Sequence, residues 1–133
     1  MSTTYLEQIL RARVYDVAVE SPLQRAVRLS ARTGNLVLLK REDEQQIFSF
    51  KLRGAYNKLF HLPEAQRSAG VVAASAGNHA QGVALAGQRL GVATTIVMPV
   101  TRPIASTAGI VRPMVASAEP SAMFIVLCSW FAN

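Results

Sequence analysis

Two short segments of the chain contain residues whose types and spacing could do chemistry. In the first, Lys51 directly follows the aromatic residue Phe50, and in the second, Gly77-Asn78 follow a short apolar run. A lysine amine held beside an apolar ring is driven toward its neutral form, which attacks an aldehyde and forms an imine. Backbone N–H groups at the start of a helix favour a carboxylate or a phosphate. The two segments together predict a site for an aldehyde and an anion.

Each of these residues also has an ordinary structural explanation. Taken alone, Lys51 is a solvated surface lysine, and only the string around it, residues 49–57, favours a functional role. Asn78 alone is a helix cap at a strand-to-helix turn. His79 can act as an acid or a base, but packing or hydrogen bonding at the helix start is the more common role. Gly54 is expected to allow the close approach of another backbone segment.

The elements that must position these residues follow from hydrophobic periodicity and from glycine and proline. The predicted elements are a helix from Phe50 to Phe60 with Ser49 as its cap, a buried strand from Val71 to Ala74, a helix from Asn78 to Leu90 that Gly91 ends, and a strand from Ala93 to Met98. Strand, glycine loop, helix and strand in this order predict one right-handed βαβ unit of a parallel sheet.

The preceding residues predict shorter elements. They are a helix from Tyr5 to Leu10, strand character from Val14 to Glu20, a helix from Leu23 to Arg32 that ends at Gly34-Asn35, a strand from Leu36 to Lys40, a polar loop over 41–46, and a short helix from Pro63 that stops at Gly70. Residues 101–133 carry only Arg102, Arg112 and Glu119 as charges and are rich in Ala, Ser, Thr and Pro. We expect them to form a divergent, irregular tail after residues 1–100.

The composition excludes several classes of function. The 133 residues form at most one domain, and the net charge of +6 comes from scattered basic residues, several beside acids, so nucleic-acid binding is not predicted. The single cysteine, Cys128, excludes an intrachain disulfide and a cysteine-based zinc site, and no metal site is predicted. The apolar run from Met123 to Cys128 is too short to span a bilayer, and the start lacks a signal-like stretch. A cytoplasmic location without membrane contact is expected.

From about Tyr5 to Val100 the sequence resembles the threonine dehydratase (threonine ammonia-lyase) family. The similar segments are 13–24, 39–43, 49–57, 75–82 and 96–99. The early segment and the string Lys-Leu-Arg-Gly-Ala-Tyr-Asn are similar to the biosynthetic branch rather than to serine/threonine dehydratases or serine racemases.

The resemblance implies an α/β fold, namely part of the fold-type II pyridoxal-phosphate enzyme fold, as in the tryptophan synthase β subunit. An incomplete parallel sheet with flanking helices would form the N-terminal portion of the catalytic domain, residues 1–100. In that family Lys51 matches the lysine that forms the Schiff base with pyridoxal 5′-phosphate, Phe50 the residue beside the pyridine ring, and Asn78 the partner of the phenolic oxygen. The loop that grips the substrate carboxylate matches Ser75, Ala76, Gly77, Asn78 and His79.

The resemblance further implies a homotetrameric lyase that deaminates L-threonine in isoleucine biosynthesis, with L-serine as the alternative substrate. The family's glycine-rich phosphate cup and its partner of the pyridine nitrogen have no match in this sequence. The 133-residue chain is therefore expected to be a truncated fragment without threonine deaminase activity. The alternatives are a relative of serine/threonine dehydratase or serine racemase, and a non-catalytic truncated product.

Overall fold

The computed structural model describes residues 4–99 and 123–128. Within them, the helices are α1 (Tyr5–Arg11), α2 (Val27–Thr33), α3 (Lys51–Phe60), α4 (Glu64–Ala69) and α5 (Asn78–Leu90). The strands are β1 (Leu23–Arg25), β2 (Leu38–Lys40), β3 (Val71–Ala74), β4 (Thr94–Pro99) and β5 (Met123–Cys128). Short 3₁₀ turns occupy Val14–Asp16 and Glu42–Glu44. None of the helices in this part of the chain is long and apolar enough to cross a membrane.

The strands form two small sheets. In the first, β1 pairs antiparallel with β2, with Leu23 opposite Lys40. In the second, β4 lies between β3 and β5. The pairing of β3 with β4 is parallel, with Val71 opposite Thr94, and α5 connects them, which confirms the predicted parallel βαβ unit.

The core lies between this sheet and the helices α3 and α5. Helix α3 buries Leu52, Ala55, Tyr56 and Leu59, and α5 buries an unbroken run from Gly82 to Gly87. Ile96, at the centre of β4, is fully buried in the same cluster. Burial of each large aliphatic side chain stabilises the fold by about 1.5–3 kcal/mol. The two helices that bear the predicted site segments are therefore anchored by the core.

The residues after α1 hold α3 in place from outside the core. The Arg13 N–H donates to Asn57 Oδ1 at 3.1 Å, and the Arg13 guanidinium lies 5.0 Å from the centre of the Phe60 ring. The Tyr56 hydroxyl donates to Asp16 Oδ2 at 3.2 Å. Burial first, and then this hydrogen bond to a carboxylate, raise the pKa of Tyr56 above its usual value. Tyr56 therefore stays a neutral donor, and the contacts orient α3 along its length.

Two of the predicted elements are wrong in the first forty residues. Val14 to Glu20 has no strand, because the N–H groups of Val17 and Ala18 bond back to Val14 and close a 3₁₀ turn. The predicted helix from Leu23 begins only at Val27, because residues 23–25 pair with β2 instead. A local turn outweighs strand propensity in the first place, and pairing with β2 outweighs helix propensity in the second. The predicted end of α2 is confirmed, since Gly34 caps it with a φ of 66°.

The predicted irregular tail falls mostly outside the described residues, which omit 100–122 and 129–133. Met123–Cys128 differs from that prediction, because its backbone forms β5, antiparallel to β4, with Thr94 opposite Cys128. Six consecutive apolar residues suit a strand, and β4 offers a second edge for pairing. The small sheet is therefore mixed rather than purely parallel.

Candidate functional site

Lys51 is the first residue of α3, and its amine is accessible. The side chain is exposed, and Nζ lies 5.0 Å from the centre of the Phe50 ring. Within the described residues the amine has no ion pair and no hydrogen bond. The predicted proximity of Lys51 to Phe50 is present, but Lys51 is open to solvent rather than enclosed by apolar groups. Leu52 is turned into the core, whereas Lys51 lies on an adjacent face of α3, together with Ala55 and Lys58.

The loop before α3 is anchored at several points. The Gln45 side chain accepts from the Val19 N–H and donates to the Val19 carbonyl, both at 2.8 Å, and is 1% exposed. Ile47 is buried, and Ser49 Oγ accepts from the Lys51 N–H at 3.3 Å. These anchors hold Phe48 in the left-handed region, at φ 54°, which costs a residue with a Cβ about 1–2 kcal/mol. The loop thus fixes the position at which α3 begins with Lys51.

The loop between β3 and α5 presents unpaired backbone donors. The Ser75 N–H donates to the Val97 carbonyl at 2.9 Å, and Ser75 Oγ accepts from the Gly77 N–H at 3.4 Å. Helix α5 begins at Asn78, and its first hydrogen bond runs from Gln81 to Gly77. The N–H groups of residues 78–80 have no acceptor within the part of the chain that the structure describes. Such an N-terminus favours an anion.

The interpretation of Asn78 as a helix cap is wrong. Gly77 occupies the N-cap position of α5, and no side chain caps this helix end. The Asn78 side chain is exposed and makes no hydrogen bond to another described residue. His79 is exposed as well, so it is not the packed or hydrogen-bonded histidine that residue statistics favour. Both side chains are free to meet a ligand.

A cavity of about 730 Å³ lies beside Lys51 and His79. It lies among α3, α4, β3 and α5, and Phe50, Lys51 and His79 are on its wall. Ser75, Ala76, Gly77 and Asn78 are not on this wall; they follow β3, whose residues 71–73 line the cavity. The described residues of the wall include two lysines and a histidine but no carboxylate, a composition that attracts anions.

Sequence reasoning missed two polar residues of this wall, Lys58 and Gln66. Lys58 lies two helical turns after Lys51, on the same face of α3, so helical periodicity was a signal that could have found it. Gln66 belongs to α4, and no pattern in the sequence connects that short helix with α3. No group of three His, Cys, Asp or Glu side chains in the described ranges can hold a metal ion.

An ion pair anchors α3 near the site. Arg53 Nε lies 2.9 Å from Glu42 Oε2, and Arg53 Nη2 lies 2.9 Å from Glu42 Oε1. The hydrogen bonds from Arg53 hold the pKa of Glu42 below its usual value, and the carboxylate raises the pKa of Arg53. Two parallel N–H···O bonds are more specific than a single surface pair. The pair therefore links Glu42, in the loop after β2, to Arg53, two residues after Lys51.

Glu42→Gln is expected to lower the free energy of unfolding by about 1 kcal/mol at pH 7. The folded pKa of Glu42 is depressed, so its stabilisation is present above the unfolded value of about 4.3 and is lost as the pH falls through the folded pKa. The difference in free energy of unfolding between wild type and variant should therefore shrink as the pH falls below about 4.3. Urea unfolding across pH 3–7 measures it. Asp43→Asn, in a more exposed pair with Arg41, is the control and should change stability less.

Known proteins are similar to the part of the chain that contains Lys51 and the loop before α5. The profile of the family described as "Pyridoxal-phosphate dependent enzyme" matches residues 14–115. The biosynthetic L-threonine dehydratase of Burkholderia multivorans is 61% identical over 102 residues, which are 77% of this chain and 20% of that protein. The chain thus spans about a fifth of the length of this curated relative.

Solved structures with a similar fold include two kinds of enzyme. The processed form of threonine deaminase isoform 2 from Solanum lycopersicum has a TM-score of 0.73 at 58% identity, over 77% of this chain and 28% of that one. Maize serine racemase has a TM-score of 0.72 at 34% identity, over 78% of this chain and 32% of that one.

Proposed function

Because the chain belongs to the family of pyridoxal-phosphate dependent enzymes, we propose that it carries the lysine and the carboxylate loop of a threonine ammonia-lyase. That lyase converts L-threonine to 2-oxobutanoate and ammonia in isoleucine biosynthesis. The observation that carries the proposal is the accessible, unpaired amine of Lys51 on the wall of a cavity that also holds Phe50 and His79. Identity of 61% to a biosynthetic threonine dehydratase supports the substrate.

The residues present fit pyridoxal 5′-phosphate as the cofactor. An aldehyde needs an amine without a carboxylate partner, and Lys51 has none among the described residues. The aromatic face of Phe50 beside that amine suits a flat ring, and the unpaired amide of Asn78 can donate to a ring oxygen. When bound, the cofactor supplies an electron-withdrawing ring that acidifies the α-proton of an amino acid.

The chain's own groups would then bind and orient the substrate. The N–H groups at the start of α5, with Ser75, Ala76, Gly77, Asn78 and His79, would bind the α-carboxylate. With the carboxylate held at one end, the α-carbon of the amino acid is brought toward the Lys51 amine. The free amine would take the α-proton, and the departure of the β-hydroxyl would follow.

A serine-specific lyase or racemase is the second candidate, favoured by the likeness to maize serine racemase. The experiment is to load the whole protein that carries this sequence with pyridoxal 5′-phosphate and to compare L-threonine with L-serine. We expect kcat/KM for L-threonine to be at least about tenfold higher, because one methyl group in a fitted pocket is worth about 1–3 kcal/mol. Formation of D-serine faster than 2-oxobutanoate would favour the racemase.

Assembly and location are further parts of the proposal. A homotetramer is implied by the resemblance to threonine dehydratases, and sedimentation of the whole protein tests it. The cytoplasm as its location stays a prediction from the sequence.

A further inference from the structure

Gly82 is the point where α5 comes closest to the beginning of α3. A Cβ atom built on Gly82 would lie 3.0 Å from the Lys51 carbonyl oxygen, 3.1 Å from its carbonyl carbon and 3.3 Å from the Ala55 Cβ. Contacts this short are tighter than side chains ordinarily tolerate. The Lys51 neighbour is backbone, which cannot swing aside as the end of a flexible side chain does. Gly54, where the sequence predicted a close approach, has nothing within 4 Å of such an atom.

The contact joins the two turns that bear the site residues. Asn78 lies one helical turn before Gly82 on the same face of α5. Lys51 lies in the first turn of α3, where its carbonyl meets Gly82. The separation of the lysine from the N-terminus of α5 is therefore set at a glycine that itself touches no ligand.

We propose that Gly82 is a positioning residue, which sets the distance between the Lys51 backbone and the anion-binding start of α5. The inference rests on the proposed function for the role of Lys51, although the contact itself does not. A methyl group at this position must push α3 and α5 apart by a few tenths of an ångström. Displacements of about 1 Å in a reacting group can change rates about a hundredfold, so this smaller shift should have a measurable effect.

The test compares Gly82→Ala with Gly87→Ala in the full chain. Gly87 lies in the same helix, but a Cβ there would meet Thr94 Oγ1 and the Val92 carbonyl, away from Lys51. Both variants should lose stability, which thermal unfolding measures. Each is treated with pyridoxal 5′-phosphate and borohydride, and the labelled peptide is mapped among the three lysines, Lys40, Lys51 and Lys58.

We expect Gly82→Ala to lower the rate of labelling at Lys51 by about tenfold at equal folded fraction, and Gly87→Ala to change it less than twofold. Amide exchange should become faster over residues 51–59 in Gly82→Ala alone. Equal labelling rates and equal exchange in the two variants would overturn the proposal. A Gly82→Ala chain that does not fold, beside a Gly87→Ala chain that does, would also contradict it, since a positioning role predicts a local change.

A double variant separates the two possible clashes. If the Ala55 methyl were the obstacle, Gly82→Ala/Ala55→Gly would restore labelling at Lys51, with Ala55→Gly alone as its control. If the Lys51 backbone is the obstacle, as we propose, labelling stays low in the double variant. Labelling of wild type at Lys40 or Lys58 would count against the proposed function, whereas the exchange comparison would still decide the role of Gly82.

Discussion

Lys51→Arg is expected to lower the deamination of L-threonine by at least about a thousandfold in the whole protein. The guanidinium keeps the positive charge and the length of the side chain, but it cannot give up its proton at neutral pH. It therefore can neither hold an aldehyde nor accept the α-proton. Because Lys51 is exposed at the first turn of α3 and makes no polar side-chain contact in the described chain, the free energy of unfolding should change little.

The matched control for this variant is Lys40→Arg. The Lys40 amine donates to the Ser21 carbonyl and does not belong to the cavity wall. Formation of 2-oxobutanoate is measured for both variants, and borohydride mapping of the wild type reports which lysine holds the cofactor. Activity of Lys51→Arg within tenfold of the wild type, or a label on Lys40 or Lys58, would remove Lys51 from the proposed role.

Asn78→Ala is expected to slow the same reaction by about a hundredfold, with the fold intact. Loss of one well-placed donor in a preorganised site has an effect of this size. The Asn78 amide is exposed, pairs with no described residue, and does not cap α5, so its removal breaks no internal contact. The loss should therefore appear in turnover and in the absorbance of the bound cofactor rather than in the thermal midpoint.

Gln88→Ala is the control, because Gln88 is exposed near the other end of α5. Its turnover and thermal midpoint should stay near those of the wild type. Full turnover of Asn78→Ala, or a loss of stability well beyond that of the Gln88→Ala control, would contradict a role of Asn78 in the reaction. Asn78 would then have a structural role only.

Several features of the fold were predictable because short-range patterns determine them. The periodic apolar residues of α5, the left-handed cap at Gly91, and the bounds of the strand from Val71 to Ala74 appear as predicted. The predicted burial of that strand is wrong, because its residues alternate between half-buried and exposed, and Val72 is 73% exposed. The fold class, part of a fold-type II pyridoxal-phosphate enzyme, and the resemblance to biosynthetic threonine dehydratases are confirmed by the relatives and solved structures. The roles of Lys51 and Asn78 stay predictions until the variants are measured.

What the sequence by itself determined is the identity and local setting of the chemical groups: a lysine after a phenylalanine at a helix start, and a glycine loop before a second helix. Only the tertiary structure decided their surroundings. The exposure of Lys51, the role of Gly77 rather than Asn78 as the cap, and the contact of Gly82 with the Lys51 carbonyl depend on how α3 packs against α5. Periodicity shows which face of a helix is buried, but the neighbour at each position is set by long-range packing, which no local pattern encodes.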